Sequence, residues 1–370
     1  MVTGARAPVA LHWAWALRAV GRRVFLADSL RWPIGAGFSD RYLRHAPPRY
    51  DLDGFRRDVL ALCARHGIGL IVPTCEEVFW LGQIAADLAA VGVRVFAPPM
   101  PLLAQVHDKG AFIDLCGQFW PHLPKTLRLN CAADLADLSN PAGLVLKPAF
   151  SRFASRTLIC PAPSDVAKVR PSPRDPWVAQ AFLPGREVCA FAVAFQGKVT
   201  ALSVYQPVYR AGSGAGIYFQ PVAPAPALAF VSAFAVATGW TGQVSFDLIE
   251  TEAGIAPIEC NPRATSGLHL LRDAKALVAA MDGGGPVMVP ADARAQCVRL
   301  AMWLYAGWAN RGRLPAFRAD IARTHEALVW DGVSVGVAAQ ARALAEIAVM
   351  ALRRRQGLMA AATADMEWNG

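Results

Sequence analysis

From Val2 to about residue 105, short apolar runs alternate with helix-length amphipathic stretches. The pattern predicts a helix over about 8–20, a strand 23–27, a helix 54–66, a strand 69–73, a helix 76–90 and a strand 94–97. Strands that alternate with helices imply βαβ units and a parallel sheet. Pro98-Pro99-Met100-Pro101 punctuates the end of this stretch, because proline locks its own φ and biases its predecessor away from helix. A first, Rossmann-like lobe is therefore placed at 1–105. Its opening turn, Gly4-Ala5-Arg6-Ala7-Pro8, lacks Gly-x-Gly-x-x-Gly, so no dinucleotide site is expected. The chain starts inside its first predicted strand, as a clipped end or a late start codon would leave it. No basic stretch followed by a cleavable apolar run precedes the strand, so no signal peptide is read.

A smaller unit follows at 106–185, with a helix 109–119, strands 143–147, 156–159 and 177–182, and a short helix at about 164–168. The stretch 161–176 holds five prolines and reads as an exposed connection. A third unit, 186–370, begins with strand-like alternation at 188–195, 199–205, 244–249 and 255–260 around a helix at 226–238. After residue 270 the pattern becomes mainly helical and Ala-rich. The fold class is α/β with α+β character: a parallel-sheet lobe, a small lid and a larger C-terminal domain ending in helices.

With 54% hydrophobic and 18% charged residues, the 370-residue chain is not of the disordered class. The net charge of +9 is scattered apart from Arg353-Arg354-Arg355, and no aromatic-interleaved basic stripe of a single-strand binder occurs. No nucleic-acid partner is expected; phosphate-handling lysines and arginines are sufficient reason for the excess. Cys63, Cys75, Cys116, Cys131, Cys160, Cys189, Cys260 and Cys297 lie far apart with no Cys-x-x-Cys, which points to neither zinc nor a disulfide framework and suits a reduced, cytoplasmic setting. No window reaches the roughly 18–20 apolar residues of a membrane span, so no membrane partner is expected.

The chemistry concentrates in Val244-Ser245-Phe246-Asp247-Leu248-Ile249, a turn near Gly254, and Ile255-Ala256-Pro257-Ile258-Glu259-Cys260-Asn261-Pro262-Arg263. Two antiparallel strands joined at a turn place Asp247 beside Glu259, and residues two apart on a strand share a face, so Glu259 and Asn261 project together. Two carboxylates and an amide oxygen form a hard-oxygen set suited to Mg²⁺ bridging nucleotide phosphates. The competing reading is a hairpin with exposed acids and an Asn-Pro turn. This hairpin resembles the metal-binding hairpin of ATP-grasp enzymes, in the branch similar to carbamoyl phosphate synthase and biotin carboxylase. The resemblance implies Asp247, Glu259 and Asn261 as ligands of Mg²⁺ (or Mn²⁺), and Arg263 as the arginine facing the γ-phosphate and an acyl-phosphate intermediate.

Upstream, Leu144-Val145-Leu146-Lys147-Pro148 is an apolar strand ending in a lysine, and a buried ammonium needs an anionic partner. A snorkelling edge lysine is the alternative. ATP-grasp members similarly carry a strand-end Lys-Pro on the α- and β-phosphates and an earlier Asp-Lys, matched by Asp108-Lys109; taken alone, Lys109 reads as a surface residue at a helix start. Trp177-Val178-Ala179-Gln180-Ala181-Phe182-Leu183-Pro184-Gly185-Arg186-Glu187 looks like the family's adenine hinge. By that resemblance the extended backbone at Gln180, Ala181, Phe182 and Leu183 meets adenine and Glu187 meets ribose.

The sequence also departs from the pattern. The loop from Pro148 to Arg156 lacks the glycines that let amides approach phosphate; Ser151, Ser155, Arg152 and Arg156 are candidate replacements. Gly212, Gly214 and Gly216 after Arg210 read as an anion-friendly segment or a plain hairpin loop. Thr74-Cys75-Glu76-Glu77 follows a strand of the first lobe, where α/β sheets place ligands, but reads first as a helix start with Thr74 as N-cap and dipole-favoured acids. Ser266, His269 and the tail 365–370 are candidates to line an acceptor pocket, against a core histidine and a frayed end. The resulting expectation is an ADP-forming carboxylate–amine ligase that uses ATP and Mg²⁺ on small-molecule carboxylate and amine substrates, with a homodimer left open. A bicarbonate-using or carbamoyl-phosphate-type enzyme and a catalytically silent nucleotide-binding regulator are its rivals.

Overall fold

The computed structural model describes residues 1–370 apart from 36, 137, 139, 153–155, 213 and 332. Its first sheet is parallel: Val2–Thr3 lies beside Phe25–Asp28, and Phe25–Asp28 beside Arg41–Arg44. Leu70–Ile71 pairs in parallel with Arg94–Val95, and a parallel bridge from Val2 to Val72 joins the two groups. The strand order reverses between Val2–Thr3 and Leu70–Ile71, and in open α/β sheets the crevice outside the strand ends opens at such a point. Gly4 sits there with φ +74°, and a Cβ on it would come within 2.7 Å of Thr74 Oγ1, so only glycine lets the two loops meet.

The helix Pro8–Ala19 is expected to be amphipathic, yet nine consecutive residues from Val9 to Leu17 are buried. It is apolar on all sides because it lies between the parallel sheet and the large C-terminal sheet, packing with Phe191, Tyr205, Phe219 and Leu277. Asp51 caps Leu52–His66 through the Gly54 amide, and Gly67 ends that helix in the left-handed conformation. The expected helix 76–90 divides into Glu77–Gln83 and Ala85–Ala90 at Ile84. Arg41–Arg44 escaped the periodicity because it is an edge strand whose Leu43 alone is buried. The proline cluster at 98–101 does not only end a strand: with fixed φ and no useful donor, proline also suits a first helical turn, and Met100–His107 starts there.

A four-stranded antiparallel sheet follows, ordered Thr126–Leu129, Trp177–Ala181, Leu144–Pro148, Leu158–Ile159. The large sheet runs Gly254–Asn261, Gly242–Thr251, Arg186–Phe195, Lys198–Ala211, Ala215–Pro221, Gln296–Cys297 and His325–Glu326. Gly212 and Gly214 lie between two of its strands and Gly216 within the second, with Arg210 Nη1 donating to Gly214 O at 2.6 Å. Beyond residue 270 the chain is less helical than expected. Val287–Met288, Gln296–Cys297 and His325–Glu326 all join the large sheet, as pieces too short to leave a period. No described helix is long and apolar enough to cross a membrane.

Helix Ala225–Thr238 covers one face of the large sheet, where Phe234 packs edge-on to Phe246 (4.9 Å between centroids), near Trp240 (5.3 Å) and near Phe112 (6.4 Å). Helix Lys109–Cys116 is thereby anchored to the strands that carry the acids. Phe234→Ala leaves a cavity in this cluster and is expected to lower stability by about 3–5 kcal/mol, read from urea denaturation at neutral pH.

Candidate active site

Asp108 begins the geometry. Its Oδ1 accepts the Gly110 and Ala111 amides at 2.9 and 3.0 Å, capping Lys109–Cys116. Lys109 thus stands in the first turn, where sequence alone suggests a surface residue, but it is 1% exposed. Its Nζ donates to Ser151 O at 3.0 Å and lies 3.5 Å from Glu259 Oε1.

Lys147, the second strand-borne lysine, is 4% exposed and does not snorkel. Its Nζ donates to Gln180 Oε1 and to Ile258 O, both at 3.0 Å. Burial brings its pKa down from 10.5 to about 8; Glu259 works against that and Lys109 with it. Lys109 thus pairs with Glu259 while Lys147 reaches the backbone carbonyl next to it, so the two ammonium groups come to the same stretch of strand from different elements.

That carboxylate faces a second. Asp247 pairs directly with Glu259, and Ser245 with Asn261, across Gly242–Thr251 and Gly254–Asn261. Phe246 and Cys260 point to the opposite, buried face. Asp247 accepts a weak hydrogen bond from Cys189 Sγ at 3.2 Å. Burial, then the charge of Glu259, pushes the Asp247 carboxyl up to about 6. Facing carboxylates that repel one another suit a hard divalent cation. Among the described residues no third Asp, Glu, His or Cys joins them, so Asn261, phosphate oxygens or water would complete the shell. Asn261 Oδ1 accepts from Arg263 Nη2 at 3.2 Å, which brings the arginine to the same edge.

In the segment 177–187 several polar groups are already bonded within the protein. The Gln180 side chain is buried, accepting from Lys147 and donating to Thr126 Oγ1 at 3.2 Å. The Ala181 and Phe182 amides donate to Lys125 O (2.8 Å) and Gly143 O (2.9 Å), so those two N–H groups are already used. Among the described residues the Leu183 amide has no such partner, which leaves it as the donor available to a flat ligand. Glu187 shares the face of Cys189 and Asp247 and pairs with Arg210 at 2.5 Å.

In the loop after Pro148 the candidate donors point elsewhere. Ser151 Oγ donates to Pro148 O at 3.2 Å, and Arg156 forms a two-pronged pair with Asp175 at 3.0 and 2.6 Å. Ser155 lies outside the described residues. Arg152 pairs with the buried Glu76 of the first lobe and donates to Trp368 O at 2.9 Å.

The plain helix start read for 74–77 gives Glu76 no partner, and the structure gives it one. Thr74 does not cap the helix; its hydroxyl donates to Thr3 O at 2.7 Å. Glu77 accepts the Thr74 amide (2.9 Å) and the Thr3 hydroxyl (2.6 Å), which turns Glu76 toward Arg152, with Arg263 Nε 4.0 Å away. The only sequence signal was two adjacent acids after a strand. The tail 365–370 is ordered rather than frayed: Asp365 forms a buried pair with Arg6 at 2.6 Å. Ser266 Oγ reaches Gly216 O at 3.5 Å.

This is the ATP-grasp fold: a parallel lobe, a small antiparallel sheet and a large sheet whose hairpin carries the two paired acids. No protein-family model matches the sequence, and no curated protein matches it. Solved structures do match. N5-carboxyaminoimidazole synthetase from Staphylococcus aureus is 11% identical with a TM-score of 0.61, over 84% of this chain and 85% of that one. The biotin carboxylase domain of the Hydrogenobacter thermophilus 2-oxoglutarate carboxylase, solved with MgADP, ADP and bicarbonate, is 13% identical with a TM-score of 0.58, over 77% and 69%. L-amino acid ligase from Bacillus licheniformis is 16% identical with a TM-score of 0.57, over 73% and 68%. At these identities the likeness is one of fold.

His269 is a core residue, stacked on Phe219 (6.0 Å, 16°) and edge-on to His12 (5.4 Å). Burial, then Arg272, holds its pKa down to about 3. The folded state keeps it neutral where an unfolded chain protonates near 6.5, so its contribution is complete above that pH and is lost progressively toward pH 3. His269→Phe is expected to reduce the stability lost between pH 7.5 and pH 5 by about 2 kcal/mol, measured by denaturant unfolding at both values.

Proposed function

We propose that this protein is an ATP- and Mg²⁺-dependent carboxylate–amine ligase that proceeds through an acyl phosphate and releases ADP and phosphate. The observation that carries this is that buried Lys109 pairs with Glu259 and buried Lys147 bonds to the carbonyl of the neighbouring Ile258, while Glu259 itself pairs across the hairpin with Asp247. Two buried cations and two close acids on one wall suit a polyphosphate with its counterion better than any neutral ligand. The relatives' complexes with ADP and MgADP support the same assignment. In this reading 1–105 bears the wall for the second substrate, 106–185 the lid and adenine hinge, and 186–370 the acids.

Asp247, Glu259 and Asn261 would hold Mg²⁺ (or Mn²⁺), which when bound supplies neutralising charge to the transferred phosphoryl group. Lys147 and Lys109 place positive charge along the phosphates without a water shell. The Leu183 amide, with carbonyls of the Gln180 to Leu183 segment, orients adenine, and Glu187 turns from Arg210 to the ribose hydroxyls. An oxygen of the substrate carboxylate attacks the γ-phosphorus as the bond to the β-phosphate oxygen breaks, giving acyl phosphate and ADP. The amine then adds to the acyl carbon, phosphate departs with the C–O electron pair, and the nitrogen loses a proton. Arg263 stabilises the negative oxygens in both steps. The Hydrogenobacter complex favours one variant of this reading, with bicarbonate as the carboxylate.

Incubation with ATP, Mg²⁺ and a metabolite extract, read by mass spectrometry, is expected to yield ADP together with a condensed product. Bicarbonate alone and single amino acids form separate arms, and ADP release in the bicarbonate arm only would select the carboxylase variant. Glu259→Ala should cut ADP release by on the order of a hundredfold or more. Tight MgATP binding without ADP release in any arm would leave a silent regulator, and absence of MgATP binding by calorimetry would remove the proposal altogether.

A further inference from the structure

The loop that follows Lys147 has no glycine up to Arg156, so it cannot wrap phosphate through bare backbone alone. Its described part is held from two sides. From below, Ala149 O accepts the Lys109 amide at 3.2 Å and Ser151 O accepts Lys109 Nζ at 3.0 Å. From above, the contacts come from the other end of the chain. Phe150 meets the Trp368 ring edge-on (5.8 Å, 82°), and Arg152 donates to Trp368 O at 2.9 Å while approaching Glu367 at 3.3 Å.

The tail that makes these contacts is itself fixed to the first lobe. Asp365 pairs with Arg6 at 2.6 Å, Trp80 Nε1 donates to Met366 O at 2.8 Å, and Glu367 pairs with Arg49 at 2.7 Å. Trp368 stacks on Phe79 at 4.9 Å and 17° and accepts from His107 Nε2 at 3.3 Å. Glu76 completes the bridge, taking Arg152 directly from the first lobe. A continuous path of packed groups thus runs from the crevice of the parallel sheet to the loop over Lys109.

We infer that Trp368 is a positioning residue: with Glu76 and Arg152 it holds the segment 148–152 over the nucleotide phosphates and keeps water from the transferred group. The inference rests on the ligase reading given above. In place of glycine-borne plasticity, this chain uses an aromatic wedge from residues 365–370 to fix the loop. Loosening the wedge should leave adenine contacts at 180–183 intact while weakening phosphate placement.

The test compares Trp368→Ala, Trp368→Phe and Phe150→Ala in the full chain. Hydrogen exchange at the 149–152 amides, KM for ATP, adenosine binding, and ADP released per condensed product are followed together. Trp368→Ala should raise exchange at 149–152 and KM for ATP by on the order of tenfold, with more than one ADP released per product. Adenosine binding should hold, and Trp368→Phe should restore the values. Because Phe150 lies on the loop side of the same contact, the double variant should be no worse than either single one. Unchanged exchange and KM in Trp368→Ala, or multiplying effects in the double variant, would overturn the inference. A wild-type chain that releases no ADP while Trp368→Ala still frees the loop would instead fail the ligase reading and leave the positioning role standing.

Discussion

Two ammonium groups buried in one wall govern the architecture of this site. Lys109 and Lys147 come from a helix start and a strand end, and neither can leave its position to reach water. Lys109 draws in Ser151 O and the carboxylate of Glu259, and Lys147 draws in Gln180 Oε1 and Ile258 O. Glu259 is in turn held against Asp247 by strand register, so positive and negative groups are forced into proximity without neutralising one another fully. The lowered pKa of Lys147 and the raised one of Asp247 share an origin: removal of both groups from water.

The rest of the fold brings those groups to a crevice and closes it. Helix Pro8–Ala19 is buried on every side, which welds the parallel lobe to the large sheet rather than leaving it on a hinge. Gly4 and Thr74 meet at the point where strand order reverses, and Glu76 emerges there toward the lid. Residues 365–370 return across the same edge, so the wall opposite the hairpin acids is built from segments nearly three hundred positions apart. The loop after Pro148 is bounded on one side by Lys109 and on the other by this tail.

Much of this was legible in order along the chain. Paired acids on a hairpin, a lysine ending an apolar strand, and the Phe-Leu-Pro-Gly segment each follow from local rules, since register and alternation alone set which side chains share a face. Local rules misled where a residue's role depended on a distant one. Lys109 reads as surface until Ser151 and Glu259 cover it. Thr74 reads as a cap until Thr3 takes its hydroxyl. The amides of Ala181 and Phe182 are spent on Lys125 and Gly143, which no pattern within 177–187 announces.

By itself, then, the sequence determined the kinds of elements, their order, and the chemical types gathered on the hairpin of Gly242–Thr251 and Gly254–Asn261, because period, turn residues and strand alternation are properties of neighbours. Tertiary structure alone decided the burial of Lys109 and Lys147, the turn of Glu76 toward Arg152, and the ordering of Trp368 between Phe79 and Phe150. Each of those depends on which surfaces meet in space. Desolvation and ion pairing act through distance rather than through chain position, so their outcome is settled only when remote segments pack together.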